Sequence, residues 1–152
     1  MDVGIFLNEL EKLLKQMKYQ TARLEGQAPQ IGDTLRAMVP VDGAGNMILM
    51  EVLVCEYNPE SLLVQIYSTM IAEIGPGYEA LKEMTQDWNL ACPLGAFGIY
   101  RRNRQFYHKY NYLFPREGDP KERAQEIFYV AHLVRDVIAE IFPDAIRLSG
   151  NM

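Results

Sequence analysis

Residues 47–57, MILMEVLVCEY, are β-prone and apolar on both sides of the strand they predict. An antiparallel strand with one solvated face alternates apolar and polar side chains. Here Ile48, Met50, Val52 and Val54 share one face. Met47, Leu49 and Leu53 share the other, interrupted only by Glu51. The next segment, 61–74, repeats the pattern: Leu62, Val64 and Ile66 lie against Leu63 and Tyr67. Such a pair of strands calls for a sheet whose centre is covered front and back. Two long helices can cover one side. The other side then needs a short helix, a second subunit or a segment of a client protein.

Turn signals put these strands in an antiparallel run. Residues 34–41, TLRAMVPV, alternate with Leu35, Ala37, Val39 and Val41 on one face, and the linking stretches DGAGN (42–46) and NPE (58–60) are short and rich in turn formers. Before them, Phe6, Leu10, Leu13, Leu14 and Met17 make an apolar stripe. It predicts a helix over 2–25, capped by Asp2 and stopped by Gly26 with Pro29 behind it, followed by a loop over 26–33. Residues 75–90 read as a second helix, with Pro76 in its first turn and Tyr78, Leu81, Met84 and Trp88 on its apolar face. Residues 96–101 and 105–114 form a hairpin, with Asn103 as the turn residue that tolerates a left-handed backbone. Asp119, Pro120 and Glu122 spell a helix start with a capping box. The stripe from Ile127 to Ile141 follows, Pro143 ends it, and 143–152 is a tail expected to fray. The order α-β-β-β-α-β-β-α predicts one α+β domain over 1–152 with an antiparallel sheet.

The hairpin is the most suggestive stretch chemically. GIYRRNRQFYHKYNYLF (98–114) mixes Arg101, Arg102, Arg104 and Lys109 with aromatic rings. Single-strand binding surfaces put rings and cations on one exposed face. Alternation instead gathers Phe106, His108, Tyr110, Tyr112 and Phe114 on one face and Tyr107, Lys109, Asn111 and Leu113 on the other, so the rings read mostly as core. A net charge of −5 also argues against general nucleic-acid binding. The four cations remain an anion-binding alternative.

Catalytic signatures are missing. His108 and His132 lie in different elements, and Cys55 and Cys92 have no metal spacing, so neither a metal nor another cofactor is expected. GPG (75–77) lacks the spacing of a phosphate-binding loop. The N-terminal residues lack a secretory signal pattern, and no apolar run is long enough to span a bilayer, which with two unpaired thiols suggests a reducing, cytoplasmic setting without membrane contact.

The element order, together with LKEMTQDWNLACPLGAFGIYRRNRQFYHKYNYLFP (81–115), resembles the type III secretion chaperone-like fold and, within it, the bacterial YbjN-like family. The local likeness is Asn89 after Trp88 at the end of the second helix, then Gly95-Ala96-Phe97 opening a strand, then an aromatic-rich strand. Where family members often repeat the asparagine, this chain has Leu90 to Pro93. The resemblance implies a non-enzymatic binding protein, often dimeric; true secretion chaperones of this fold hold an extended segment of a client protein.

The expectation is therefore a homodimeric protein-binding module. Its partner surface would comprise Met47, Leu49 and Leu53, with Tyr78 and Trp88 nearby. The alternative is a small-ligand or nucleic-acid sensor using the basic tip 101–109.

Overall fold

The computed structural model describes residues 1–26 and 32–151 and has the order α1 (Val3–Gln16), β1 (Gln20–Leu24), β2 (Thr34–Pro40), β3 (Met47–Asn58), β4 (Ser61–Ile71), α2 (Tyr78–Ala91), β5 (Ala96–Tyr100), β6 (Gln105–Pro115) and α3 (Pro120–Ser149). The fold is α+β, with one strand more than the sequence pattern predicts. The six strands form a single sheet in the order β1-β2-β3-β4-β6-β5, antiparallel throughout.

The extra strand comes from a helix that stops early. Asp2 caps α1 as expected, its carboxylate accepting from the Ile5 amide at 3.0 Å. The helix ends at Gln16, not near residue 25. Lys18 takes a left-handed backbone (φ 65°), and the amides of Lys18 and Tyr19 close onto Lys15 and Leu14 carbonyls. Lysine rarely holds that position, so nothing in the residue type announces the stop. β1 is equally silent, because its inward side chains are polar. Thr21 donates to Glu11 at 2.9 Å, and Arg23 reaches Asn8 at 2.6 Å and Asp33 at 3.4 Å. Gly26 is therefore not a helix stop, and Pro29 lies outside the described residues with most of the 26–33 loop.

The three helices pack on the same face of the sheet. From α1, Phe6 meets Phe114 edge-on with centroids 6.1 Å apart. From α2, Trp88 packs against Phe97 and Phe106 at 6.3 and 6.1 Å. From α3, the Arg123 guanidinium lies 5.2 Å above the Phe114 ring. Helix-facing positions of β2, β3 and β4, such as Leu35, Ile48 and Ile66, are buried, as are Phe97, Phe106, His108 and Phe114, while Ile99, Tyr110 and Tyr112 are partly buried. Of the three ways left open for covering the opposite face, the short helix is not used: the apolar side of α2, Leu81 and Trp88, packs beside α3 over β5 and β6.

Two close approaches fix the remaining elements. Asn89 pairs with the Phe97 backbone through both side-chain atoms, accepting from the amide at 2.7 Å and donating to the carbonyl at 2.8 Å. This ties the end of α2 to the start of β5 and gives the Asn89…Phe97 spacing a physical meaning. GPG serves packing. A β-carbon on Gly77 would lie 1.7 Å from the Leu148 carbonyl oxygen, so only glycine lets the segment pass the end of α3. Accordingly α2 begins at Tyr78, with Gly77 at its cap and Pro76 before it.

α3 starts as expected, with Pro120 first and Asp119 accepting from the Lys121 amide at 3.0 Å. Its end is a second correction. Pro143 does not stop it, and the helix runs to Ser149 with Gly150 as a left-handed cap. Pro143 is exposed, while Ile138, Phe142, Ala145 and Ser149 continue the buried stripe across it. Burial of those side chains offsets the ~3 kcal/mol an interior proline costs. Residues 144–151 are therefore helix and clasp, not a frayed tail.

Candidate functional site

With the helices on one side, no helix among the described residues covers the other face of the sheet. Cross-strand pairing sets its side chains in rows. The middle row runs Ala22, Arg36, Glu51, Tyr67, Lys109, Ala96. One neighbouring row runs Gln20, Met38, Leu49, Thr69, Tyr107, Gly98, and on the other side lie Leu53, Gln65 and Asn111, then Cys55, Leu63 and Leu113. The face thus has a polar midline, flanked by rows in which Met38, Leu49, Tyr107, Leu53, Leu63 and Leu113 are interspersed with Gln20, Thr69, Gln65 and Asn111. Met47 and Leu113 are about half exposed, at 49% and 51%. Leu49, Leu53 and Leu63 are half-buried. A shallow depression of 280 Å³ lies at the β1–β3 side, lined by Gln20, Ala22, Arg36, Met38 and Leu49.

The midline is ordered by its own contacts. Arg36 donates to Glu51 at 3.1 Å. Tyr67 stacks on Tyr107 with centroids 5.0 Å apart and planes 22° off parallel, and its hydroxyl donates to Gln105. Tyr107 can lie across β5 because residue 98 is glycine: a β-carbon there would sit 2.5 Å from the Tyr107 hydroxyl oxygen. Burial in this stack, then the neighbouring Tyr107, Glu51 and Tyr100, pushes the Tyr67 phenol up to about 12, so it stays protonated and able to donate. Lys109 is exposed and forms no salt bridge among the described residues.

The five residues expected to form one partner surface separate into two groups. Met47, Leu49 and Leu53 lie on the uncovered face. Tyr78 and Trp88 lie on the helix side, because α2 packs there. Tyr78 sits under the Arg104 guanidinium at 4.6 Å. Trp88 lines a groove of 420 Å³ between α2 and α3, together with Phe97, Val137, Glu140 and Ile141. Leu63, Leu113, Tyr67 and Tyr107 belong to the uncovered face instead. Strand alternation could have found them, but their assembly depends on which strands are neighbours.

The basic tip also divides. Arg101 and Arg102 are exposed in the β5–β6 turn. Arg104, not Asn103, takes the left-handed backbone there (φ 57°), and its guanidinium donates to the Ile74 and Gly75 carbonyls at 3.2 and 3.0 Å. Lys109 stands on the sheet face, away from the turn. The four cations do not form one cluster.

His108 lies on the face that alternation turns toward the core and is fully buried, more than its partly polar neighbourhood in sequence suggests. Its Nε2 bonds the Leu94 carbonyl at 2.7 Å and lies 4.0 Å from the Cys92 thiol. Desolvation holds its pKa below the usual histidine value, against an opposing effect of the Leu94 bond. His132 lies between Tyr19 (3.2 Å) and the Phe128 carbonyl (2.9 Å). Among the described residues no group of three or more His, Cys, Asp or Glu could hold a metal ion, and no helix is long and apolar enough to cross a membrane. No family model matches the chain, and no curated protein matches it.

Proposed function

We propose that this chain is a non-enzymatic protein-binding module that docks a partner or client protein on its uncovered sheet face. The observation that carries this reading is the helix layer lying wholly on one side while Met47, Leu49, Leu53, Leu63 and Leu113 face outward from the other. The face is six strands wide. At ~4.8 Å per strand and roughly 20 Å of strand length it projects about 600 Å². If half of that is apolar, covering it contributes about 7 kcal/mol before association costs of similar size. Affinity therefore depends on how well the polar groups of the face are matched as well as on its leucines. The sheet edges are poorer docking sites: β1 and β5 are five residues each, and β5 contains Gly98.

The likeness of residues 81–115 to YbjN-like chains agrees with a binding role, and a cytoplasmic setting, in which the free thiols of Cys55 and Cys92 stay reduced, belongs to the same proposal. The sensor alternative is weakened, since Arg104 is engaged by the loop before α2 and Lys109 is remote from Arg101 and Arg102.

Site-specific photocrosslinking in the native host tests the reading. A photoreactive residue at Leu53 or Leu113 should yield a covalent polypeptide adduct. The same residue at Tyr129, exposed on α3, should not. Absence of adducts from the sheet face, or equal adducts from position 129, would count against a docking role.

A further inference from the structure

We infer that the uncovered face pairs with the same face of a second copy of this chain, about a two-fold axis that runs along β4 over Tyr67. This rests on the protein-binding reading above and names the occupant. The argument is the charge order of the midline. Glu51 on β3 and Lys109 on β6 are the two cross-strand neighbours of Tyr67, one on each side of β4. Sheets packed face to face lie ~10 Å apart, within reach of side chains from both. A two-fold axis parallel to β4 sets β3 of one copy over β6 of the other. Glu51 then meets Lys109 of the partner subunit, and the symmetry makes that contact twice. The same rotation brings Leu49 onto the partner's Tyr107, Cys55 onto the partner's Leu113 and Leu63 onto the partner's Leu63, while Leu53 meets the partner's Asn111 and Gln65 the partner's Gln65.

Other placements are worse. An axis running across the strands through Tyr67 sets Glu51 on Glu51 and Lys109 on Lys109. An axis between β3 and β4 sets Arg36 over Lys109 and leaves Glu51 against Tyr67. Like charges juxtaposed in an interface oppose association strongly. An axis between β2 and β3 also joins opposite charges, Arg36 with the partner's Glu51, but it overlaps only β1 to β4 and leaves Lys109 unmatched, so charge pairing and strand overlap together favour the axis over β4. Lys109 then gains the ionic partner it lacks among the described residues, and Glu51 keeps Arg36 at 3.1 Å while meeting a second cation. The projected face, ~600 Å², approaches the ~800 Å² per subunit of a standard interface once side-chain relief is counted.

Light scattering coupled to size exclusion tests the inference on the full chain and three variant preparations. The wild type should be a dimer at micromolar concentration. Lys109→Glu should weaken the dimer ~10-fold to 100-fold by setting carboxylate against carboxylate twice, and Glu51→Lys should do the same with cations. Mixing the two variants should restore a heterodimer, because both symmetry-related contacts again join opposite charges. Lys109 is exposed, so Lys109→Glu is expected to fold, and a thermal melt of each variant checks that. A monomeric wild type overturns self-association. A photocrosslinked adduct with a different polypeptide would then leave the docking reading standing. A dimer that survives both reversals places the interface elsewhere. Loss of the dimer in both variants without recovery on mixing rejects the Glu51–Lys109 pairing and with it this axis.

Discussion

His108 and Ser68 are cross-strand partners, both fully buried, and neither His108 Nδ1 nor Ser68 Oγ finds a hydrogen-bond partner among the described residues. Two such atoms in a packed layer cost stability that the surrounding rings supply, Phe97 standing edge-on to the imidazole at 5.0 Å. Desolvation lowers the folded-state pKa of His108 below 6.5, so the imidazole is neutral in the fold. The unfolded chain binds the proton first as pH falls. The stabilising effect of a neutral His108 is therefore complete above about pH 6.5 and is lost as pH drops from there toward the lowered folded value. Urea unfolding between about pH 7.5 and 5 should show stability falling by at most ~1.4 kcal/mol per pH unit from this group, and His108→Leu should flatten that slope. An unchanged slope in the variant would assign the pH dependence to other groups.

At the scale of elements, the last helix and the approach to α2 form one clasp. The Gly77 amide donates to the Ser149 carbonyl at 3.0 Å. Asn151 accepts from the Gly75 amide at 2.9 Å and donates to the Glu73 carbonyl at 3.0 Å. These bonds explain why α3 continues past Pro143: its final turn is the surface on which the GPG segment rests. Asn151→Ala should cost about 1 kcal/mol in denaturant unfolding, as the bonds are partly exposed. It should also raise hydrogen exchange at Gly75 and Gly77 before that of β4. Exchange unchanged at both glycines would mean that packing alone holds the clasp.

For the whole molecule, the asymmetry of the sheet makes the two faces respond differently to mutation. In a Lys109→Glu background, chosen to remove self-association, Leu49→Thr with Leu53→Thr should shift unfolding free energy by less than ~1 kcal/mol, because these half-buried side chains lie outside the helix-covered core. Ile48→Ala on the helix side should cost ~2–5 kcal/mol. Equal losses from both faces would show that the outward residues are core residues of the single chain.

Local periodicity carried much of this architecture. Alternation along 105–114 assigned Phe106, His108 and Phe114 to the interior, and the 47–57 and 61–74 segments announced their two apolar sides without the structure. Asp2 and Asp119 marked helix starts because their short carboxylates satisfy free amides at fixed offsets. Where periodicity is absent the reading failed. β1 faces α1 with Thr21 and Arg23, and α1 stops on a left-handed lysine. Pro143 was read as a stop because a proline's local cost is visible in sequence, while the buried stripe that overrides it takes its value from contacts with distant strands. The side taken by α2 is likewise a long-range matter: Trp88 goes where Phe97 and Phe106 leave a place for it. That choice, which no spacing encodes, separated Tyr78 and Trp88 from Met47, Leu49 and Leu53. It also set Glu51, Tyr67 and Lys109 side by side across three strands, since strand neighbours are chosen by how the whole sheet buries its inner face.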